Sequence, residues 1–393
     1  MNFKKYALVV ASLLSVFAFA GIVIAKDAAV KENLGKRVLA HGQEEVNKAV
    51  SMGCKVLRDA KTVKALDCPQ AVAESLALAE DVRVFALDEN PGKEKEFNST
   101  SAGANQQIGA NIIHVAGNTG VGRKVVVLDT GYNYLHPELI SSYLGGKDFV
   151  NGDNDPMDDE GHGSHVAGII TADGINPTAK GVAPSTGVIA GKVLDSAGSG
   201  YFTDVVAGIY WAVDGPDEIF GNADDFGADA ISVSLGTGAP YLYKGFCDAV
   251  MPDLTAAIKY AVEKNVPVVV AAGNSGMPGV SIPGCISYST TVGAVNSSDK
   301  IASFSGRGGA VDITAPGVGI YSTTLGNSYA SWSGTSMATP MITGVIALMK
   351  STHPTYSHSQ VENKLFSTVK DLGKAGKDKD YGWGRVRANL AVQ

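Results

Sequence analysis

The sequence predicts an α/β fold, a three-layer, doubly wound and mainly parallel sheet that is preceded by a small α+β domain. Short apolar runs, each suited to a buried strand, alternate with stretches of helical periodicity. The apolar runs are 125–128, 187–194, 228–235 and 266–272, and the helical stretches are 165–172, 202–213 and 254–264. Strands that alternate with helices form parallel sheets with right-handed crossovers, and ligands bind beyond the carboxyl ends of such strands.

The first 25 residues have the pattern of a signal peptide. Lys4 and Lys5 precede an apolar run at 7–25, and small residues offer cleavage points after Ala20 or Ala25. The run is also long enough to remain as a membrane anchor, which is the alternative. In either case we expect the rest of the chain to leave the cytoplasm, and we predict a secreted protein.

Residues 26–104 are predicted to form a small domain and a linker. The region carries helical candidates at 44–52 and 70–80 and an alternating, strand-like run at 82–87. The stretch 91–105 is polar and rich in Gly, Ser and Asn, as is typical of an exposed, protease-sensitive linker. The large domain is expected to span 105–393.

The amino-acid composition limits the classes of protein to which this chain can belong. The chain has 393 residues, 45% of them hydrophobic, which is enough for one large core besides a small domain. A formal net charge of −7 argues against nucleic acid as a partner. The spacing of the four cysteines fits neither a zinc site nor a Cys-x-x-Cys redox centre.

Ser336 is a candidate nucleophile. It lies in a stretch of small residues, 334–340, just before apolar positions with helical spacing. The start of a buried helix offers free backbone N–H groups and a positive dipole end, and both favour negative charge that develops nearby. The alternative is a helix start that serves packing alone.

His162 and Asp129 favour the catalytic interpretation. Asp129 ends a buried strand, where it can accept a hydrogen bond from an imidazole and fix its tautomer. His162, which stands between glycines, can then take the proton of Ser336 and return it to the leaving amine. Asn274 can donate its side-chain amide to the oxyanion of the tetrahedral intermediate. His165 is interpreted as a structural histidine.

With these residues the sequence resembles the subtilisin-like serine proteases, the subtilases. The order Asp, His, Ser is carried by the stretches 129–131, 162–168 and 334–340, and the resemblance runs from about residue 105 to the end. It implies the subtilisin-like form of the fold and a serine endopeptidase that works through an acyl-enzyme on Ser336. One departure follows the nucleophile, where Pro340-Met341-Ile342-Thr343-Gly344 replaces a common Pro-His-Val-Ala-Gly and puts local helix packing in question.

The resemblance also implies a substrate cleft and a zymogen. Ser234, Leu235 and Gly236 would pair as an edge strand with an extended substrate, and Ala271, Ala272 and Gly273 would help to line the pocket for the side chain before the cut bond. The region 26–90 would be a propeptide that aids folding and inhibits the enzyme until it is removed, with self-cleavage near 96–105. A permanent N-terminal domain is the alternative.

The resemblance and the sheet topology together suggest a disulfide between Cys247 and Cys285. Both cysteines lie in loops that follow neighbouring strands, so both loops leave the same carboxyl edge of the sheet. Two buried free thiols are the alternative. Cys54 and Cys68 are expected to pair separately within the propeptide.

A structural calcium ion is a further expectation. Asp153, Asp155 and Asp158 are part of an acidic loop at 151–160, and hard oxygen ligands suit Ca²⁺. The alternative is a solvated acidic turn. No cofactor is expected for the chemistry itself.

Two functions from different classes are thus compatible with the sequence. The first is a secreted, monomeric endopeptidase with protein or peptide substrates. The second is a catalytically inactive subtilase fold that serves as a binding module, although such a module would not need all four of Asp129, His162, Ser336 and Asn274. Labelling by a fluorophosphonate probe would separate the two.

Overall fold

The computed structural model describes residues 35–88 and 101–393. The predicted signal segment, and most of the predicted linker at 91–105, lie outside the described residues. The described chain forms two compact units, one that ends at Asp81 and one that begins at Val82. No helix in these described residues is long and apolar enough to cross a membrane.

The first unit is a small α+β structure, as predicted. Its elements are β1 (Gly35–Ala40), α1 (Gly42–Ser51), β2 (Lys55–Asp59), β3 (Lys64–Pro69) and α2 (Gln70–Ser75). The strands form an antiparallel sheet in the order β1-β3-β2. Cys54 and Cys68 form a disulfide within its core, so this predicted pair is present.

The second unit is organised around a seven-stranded parallel sheet, which confirms the predicted fold class. The strands are β5 (Lys124–Asp129), β6 (Tyr143–Asp148), β7 (Gly187–Lys192), β9 (Ala230–Val233), β12 (Val268–Ala271), β14 (Thr290–Val295) and β15 (Ile313–Pro316). Their order in the sheet is β15-β14-β12-β9-β5-β7-β6, and every neighbouring pair is parallel. The four predicted strands are β5, β7, β9 and β12.

Helices cover both faces of this sheet. They are α3 (Ser101–Ile108), α4 (Ala110–Val115), α5 (His162–Thr171), α6 (Phe202–Asp214), α7 (Pro252–Glu263), α8 (Thr335–Thr352), α9 (His358–Ser367) and α10 (Ala388–Ala391). Val125 and Val127 of β5 face the core that α5 and α8 complete, whereas Leu128 packs against Gly208 of α6 on the other face. Alternate residues of one strand thus serve two helical layers.

Short strands outside the main sheet form smaller sheets of two or three strands. They are β4 (Arg83–Ala86), β8 (Ser199–Tyr201), β10 (Leu235–Gly236), β11 (Leu242–Tyr243), β13 (Val280–Ser281), β16 (Ile320–Thr323) and β17 (Tyr329–Trp332). β4 lies between β10 and β8 and is antiparallel to both. The strand-like run at 82–87, which the sequence analysis assigned to the small domain, therefore belongs to a sheet of the second unit.

Cys247 and Cys285 form the second disulfide, with their Cα atoms 5.4 Å apart. Both residues are buried, and the Cys247 N–H also donates to the Cys285 carbonyl at 2.9 Å. The bond joins the segments that follow β11 and β13.

We expect the double substitution Cys247→Ser, Cys285→Ser to lower the melting temperature by roughly 5–15 °C. Closing a loop of 38 residues contributes about 3–4 kcal/mol in the chain-entropy model. Scanning calorimetry in a Ser336→Ala background would measure the change without self-digestion. A melting temperature equal to that of Ser336→Ala alone would contradict a stabilising role for the bond.

Candidate active site

Asp129 and His162 form a buried, hydrogen-bonded pair. Asp129 is the last residue of β5, and His162 is the first residue of α5. His162 Nδ1 lies 2.7 Å from Asp129 Oδ1, which also accepts the Thr130 N–H at 2.7 Å. Because Nδ1 faces the carboxylate, Nε2 is the nitrogen left to accept a proton.

The surroundings of His162 set its basicity. Burial alone would lower the pKa of His162, but the Asp129 carboxylate raises it to about 9, and Asp88 and Glu160 add to the rise. Burial raises the pKa of Glu160, whose Oε2 accepts the His162 N–H at 2.7 Å. Trp332 stacks on the imidazole of His162 with 6.3 Å between ring centroids.

Ser336 lies in the first turn of α8, directly after Thr335. Its Oγ donates to the Ser234 carbonyl at 2.8 Å, and the Ser234 Oγ donates to the Ser336 carbonyl at 3.1 Å. Among the residues that the structure describes, none is hydrogen-bonded to His162 Nε2. For a proton to pass from Ser336 to the imidazole, the Ser336 hydroxyl would have to turn away from Ser234.

Asn274 presents its amide to a peptide carbonyl. Its Nδ2 donates to the Leu87 carbonyl oxygen at 2.9 Å, and its Oδ1 accepts from the Thr335 N–H at 3.0 Å and from Thr335 Oγ1 at 2.9 Å. The two bonds from Thr335 fix which end of the amide is the donor. A Cβ on Gly334 would lie 2.4 Å from the same Leu87 oxygen, so the backbone comes close to this carbonyl only because residue 334 is glycine.

The segment before Leu87 is the strand β4, which fills the cleft between β10 and β8. Ala86 pairs with Leu235 and Phe85 pairs with Gly236, while Arg83 pairs with Tyr201 on the other side. This edge contains two of the three residues predicted to pair with a substrate. The third, Ser234, contacts Ser336 instead.

The half-buried side chain of Leu87 lies against Gly236. A Cβ on Gly236 would lie 3.0 Å from Leu87 Cδ1 and 2.5 Å from Ser281 Oγ, and a Cβ on Gly273 would lie 2.4 Å from the same oxygen. Ala271 and Ala272, which were predicted to help line the substrate pocket, are fully buried. The lack of a side chain at Gly236 thus leaves room for the leucine, and Ser281, which sequence reasoning missed, lies against both Gly236 and Gly273.

The three carboxylates of the acidic loop have separate hydrogen-bond partners. Asp158 is buried and accepts from Thr130 Oγ1 at 2.8 Å and from Ser164 Oγ at 2.5 Å, while Asp155 accepts from the hydroxyl of Tyr134 at 2.8 Å. Asp153 is exposed and accepts the Asp155 N–H at 2.9 Å. In the described ranges no three His, Cys, Asp or Glu side chains are grouped as a metal ion would require. The structure therefore gives the calcium prediction no support, and Asp158 instead holds the turns around Asp129 and His162.

Sequence reasoning missed two further charged residues near the pair. Lys192 is almost completely buried, and its Nζ donates to the Thr130 carbonyl at 2.6 Å and to Asp159 Oδ1 at 2.5 Å. The sequence analysis places Glu160 in the acidic loop at 151–160 but assigns it no contact with His162. A lysine at the end of an apolar strand was the available signal for Lys192, because lysine is rarely buried without a partner.

His165 is structural, as interpreted from the sequence. Its Nε2 lies 3.0 Å from the Ala330 carbonyl, and its ring stacks on Trp332 with centroids 4.6 Å apart. Burial lowers the pKa of His165 to about 3. The departure at Met341 also has a packing explanation, since Met341 is fully buried in the core around α8.

The four candidate residues lie at the carboxyl edge of a parallel sheet, beside the cleft that β4 fills. This arrangement of carboxylate, imidazole, hydroxyl and amide is typical of a serine peptidase. A model of the subtilase family matches residues 120–384. The chain belongs to this family and is a subtilisin-like serine endopeptidase, which acts on protein substrates and needs no cofactor for catalysis.

The chain is similar to several bacterial subtilisins along most of its length. It is 34% identical to subtilisin E of Bacillus subtilis (strain 168) over 348 residues, which cover 87% of this chain and 84% of that protein. It is 39% identical to subtilisin Savinase of Lederbergia lenta over 287 residues, which cover 73% of this chain and 97% of that one. A subtilisin of Bacillus pumilus is 38% identical over 294 residues, with the same shares covered.

We expect Glu160→Gln to move the acidic limb of the pH profile of kcat/KM to lower pH. His162 must be neutral to accept a proton, and the Glu160 carboxylate contributes to its raised pKa, so removing that charge lowers the pKa. Glutamine keeps the size of the side chain and an oxygen for the His162 N–H. Asp153→Asn, which neutralises an exposed carboxylate of the same loop, is the control. A limb that stays in place or moves to higher pH would contradict the assignment.

Proposed function

We propose that this protein is the precursor of a secreted endopeptidase that first cuts its own chain between Leu87 and Asp88. The observation that carries the proposal is the 2.9 Å hydrogen bond from Asn274 Nδ2 to the Leu87 carbonyl oxygen, while the Leu87 side chain lies against Gly236. A carbonyl that receives an amide donor at this edge is in the position of a bond about to be attacked. Asp88 follows that carbonyl and raises the pKa of His162.

In the proposed reaction the Ser336 Oγ attacks the Leu87 carbonyl carbon, and His162 Nε2 takes the hydroxyl proton. Asn274 Nδ2 and the Ser336 N–H stabilise the oxyanion, and Asp129 stabilises the imidazolium that forms. When the bond to Asp88 breaks, His162 gives the proton to the leaving amine, and the Leu87 acyl group stays on Ser336. Water, activated by the same imidazole, then releases the acyl group as a carboxylate. Peptide substrates would follow the same steps once the cleft is vacant.

The residues before the cut are proposed to act as a propeptide. β4 fills the cleft by pairing with β8 and β10, so other substrates cannot enter until it leaves. The pairing of β4 supports the zymogen proposal more directly than does the N-terminal position of the small domain in the sequence. The earlier prediction of a cut near 96–105 concerns residues that lie mostly outside the described ones, and the contacts of Leu87 favour the earlier bond.

Secretion through a signal peptide within residues 1–25 belongs to the same proposal. It is supported by the pattern of Lys4, Lys5 and the apolar run, and it agrees with the two disulfides, which persist in oxidising compartments. A monomeric state, the domain bounds 26–104 and 105–393, and a bound Ca²⁺ stay predictions.

Fluorophosphonate labelling combined with N-terminal sequencing tests the proposal. We expect the probe to modify Ser336 in the purified secreted product, and we expect that product to begin at Asp88. A folded product that resists the probe and has no peptidase activity would favour the inactive binding module instead. A labelled product with a different N-terminus would keep the activity but reject the proposed bond.

A further inference from the structure

Arg83, the fifth residue before the proposed cut, has a defined set of partners on the enzyme. It pairs with Tyr201 of β8, and its guanidinium carbon lies 5.4 Å from the centroid of the Tyr201 ring. Its Nη2 donates a hydrogen bond to Ser199 Oγ. Its guanidinium also lies 5.9 Å from the ring of Phe85, two residues along the same face of the strand.

We propose that Ser199 and Tyr201 form a subsite that selects a guanidinium five residues before the cleaved bond. The inference rests on the proposed function, because Arg83 holds this position only if the cut follows Leu87. Tyr201 and Ser199 come after the cut in the sequence, so they stay with the mature enzyme and meet each new substrate. The proposal therefore adds a preference for extended substrates of the type Arg-x-aromatic-x-Leu before the cut.

The chemistry of the two side chains favours arginine over other residues. A planar guanidinium can lie over an aromatic ring and donate in its plane to a hydroxyl at the same time, which an ammonium group does less well. Ser199 is almost completely buried, so its hydroxyl has little access to water when the cleft is filled. A neutral side chain would lose both the attraction to the Tyr201 ring and the charge assistance of the hydrogen bond.

The experiment compares quenched fluorescent peptides that contain Arg-Val-Phe-Ala-Leu-Asp with peptides in which citrulline replaces the arginine. Citrulline has nearly the same shape but no charge, so the ratio of the two kcat/KM values reports on the cation alone. For the mature enzyme we expect arginine to be favoured by about 3–10-fold. The ratio is independent of any general loss of activity in a variant.

Variants assign the preference to the two residues. Tyr201→Ala and Ser199→Ala are each expected to reduce the ratio towards 1, whereas Tyr201→Phe should retain most of it because the ring remains. Tyr288→Ala is the matched control, since it removes another tyrosine that faces a cation, in this case Lys259 at 5.6 Å. This control should leave the ratio unchanged.

The outcomes separate this inference from the function on which it rests. Cleavage after leucine with equal kcat/KM values for arginine and citrulline would overturn the subsite and leave the proposed function intact. Mass spectrometry of the products identifies the bond, and a cut elsewhere would overturn the register on which the subsite depends. A folded enzyme that cuts none of the peptides would reject both proposals.

Discussion

A chain that carries Ser336→Ala is expected to remain a full-length precursor, with the Leu87–Asp88 bond intact, and to lose peptide hydrolysis. The Ser336 hydroxyl is the nucleophile in the proposed reaction, and the other hydroxyl at the start of α8, that of Thr335, donates to Asn274 instead. The expected loss in kcat is about 10⁶-fold, which is the scale known for removal of the serine of a subtilisin triad. Immunoblotting and N-terminal sequencing of the purified protein would show whether it has been cut.

The control for this substitution is Ser331→Ala, which removes a serine of the nearby strand β17 and should leave maturation unchanged. Calorimetry would establish that the Ser336→Ala chain is folded, because an unfolded chain would also fail to mature. If the purified, folded variant still matures with no other protease present, self-cleavage through Ser336 is wrong. If the uncut Ser336→Ala precursor accumulates with β4 in the cleft, it should also fail to bind peptides that the mature enzyme binds.

The parallel sheet could be predicted because its central strands are continuous apolar runs, such as Val125 to Leu128, that end at polar residues. Parallel strands that are buried on both faces leave this signal in the sequence. β14 and β15 were not predicted, because Thr290, Gly293 and Thr314 interrupt their apolar character. Their burial depends on the helices packed over them, which no local pattern reveals.

The pairing of Asp129 with His162 could also be predicted. Asp129 ends an apolar run, and both residues lie in motifs that resemble those of the subtilases. The position of β4 could not. The alternation at 82–87 identifies a strand, but it does not indicate that its partner is Leu235–Gly236, some 150 positions later. The calcium prediction received no support for a similar reason, since Asp158 is satisfied by Thr130 and Ser164, which other parts of the fold bring to it.

Asn274→Ala is expected to lower kcat by roughly 10²–10³-fold while KM changes little, on the scale that loss of the corresponding amide has in a subtilisin. Negative charge develops on the carbonyl oxygen only beyond the ground state, so the Nδ2 donor stabilises the transition state more than the bound substrate. The two bonds from Thr335 hold the amide in place before the charge appears, which is the preorganisation that makes such a donor effective. Steady-state kinetics of the mature variant would measure both constants.

The rate of self-cleavage provides a second measurement of what the Asn274 amide contributes. Because Asn274 Nδ2 contacts the Leu87 carbonyl in the precursor, the variant should cut its own chain more slowly by a similar factor. Asn118→Ala is a suitable control, since Asn118 also donates through its amide, to the Leu348 carbonyl at 3.0 Å, but does so away from the cleft. A rise in KM with kcat unchanged would assign Asn274 to substrate positioning. Normal self-cleavage together with slow peptide hydrolysis would mean that the Leu87 carbonyl is not the group attacked, and the proposed bond would then have to be abandoned.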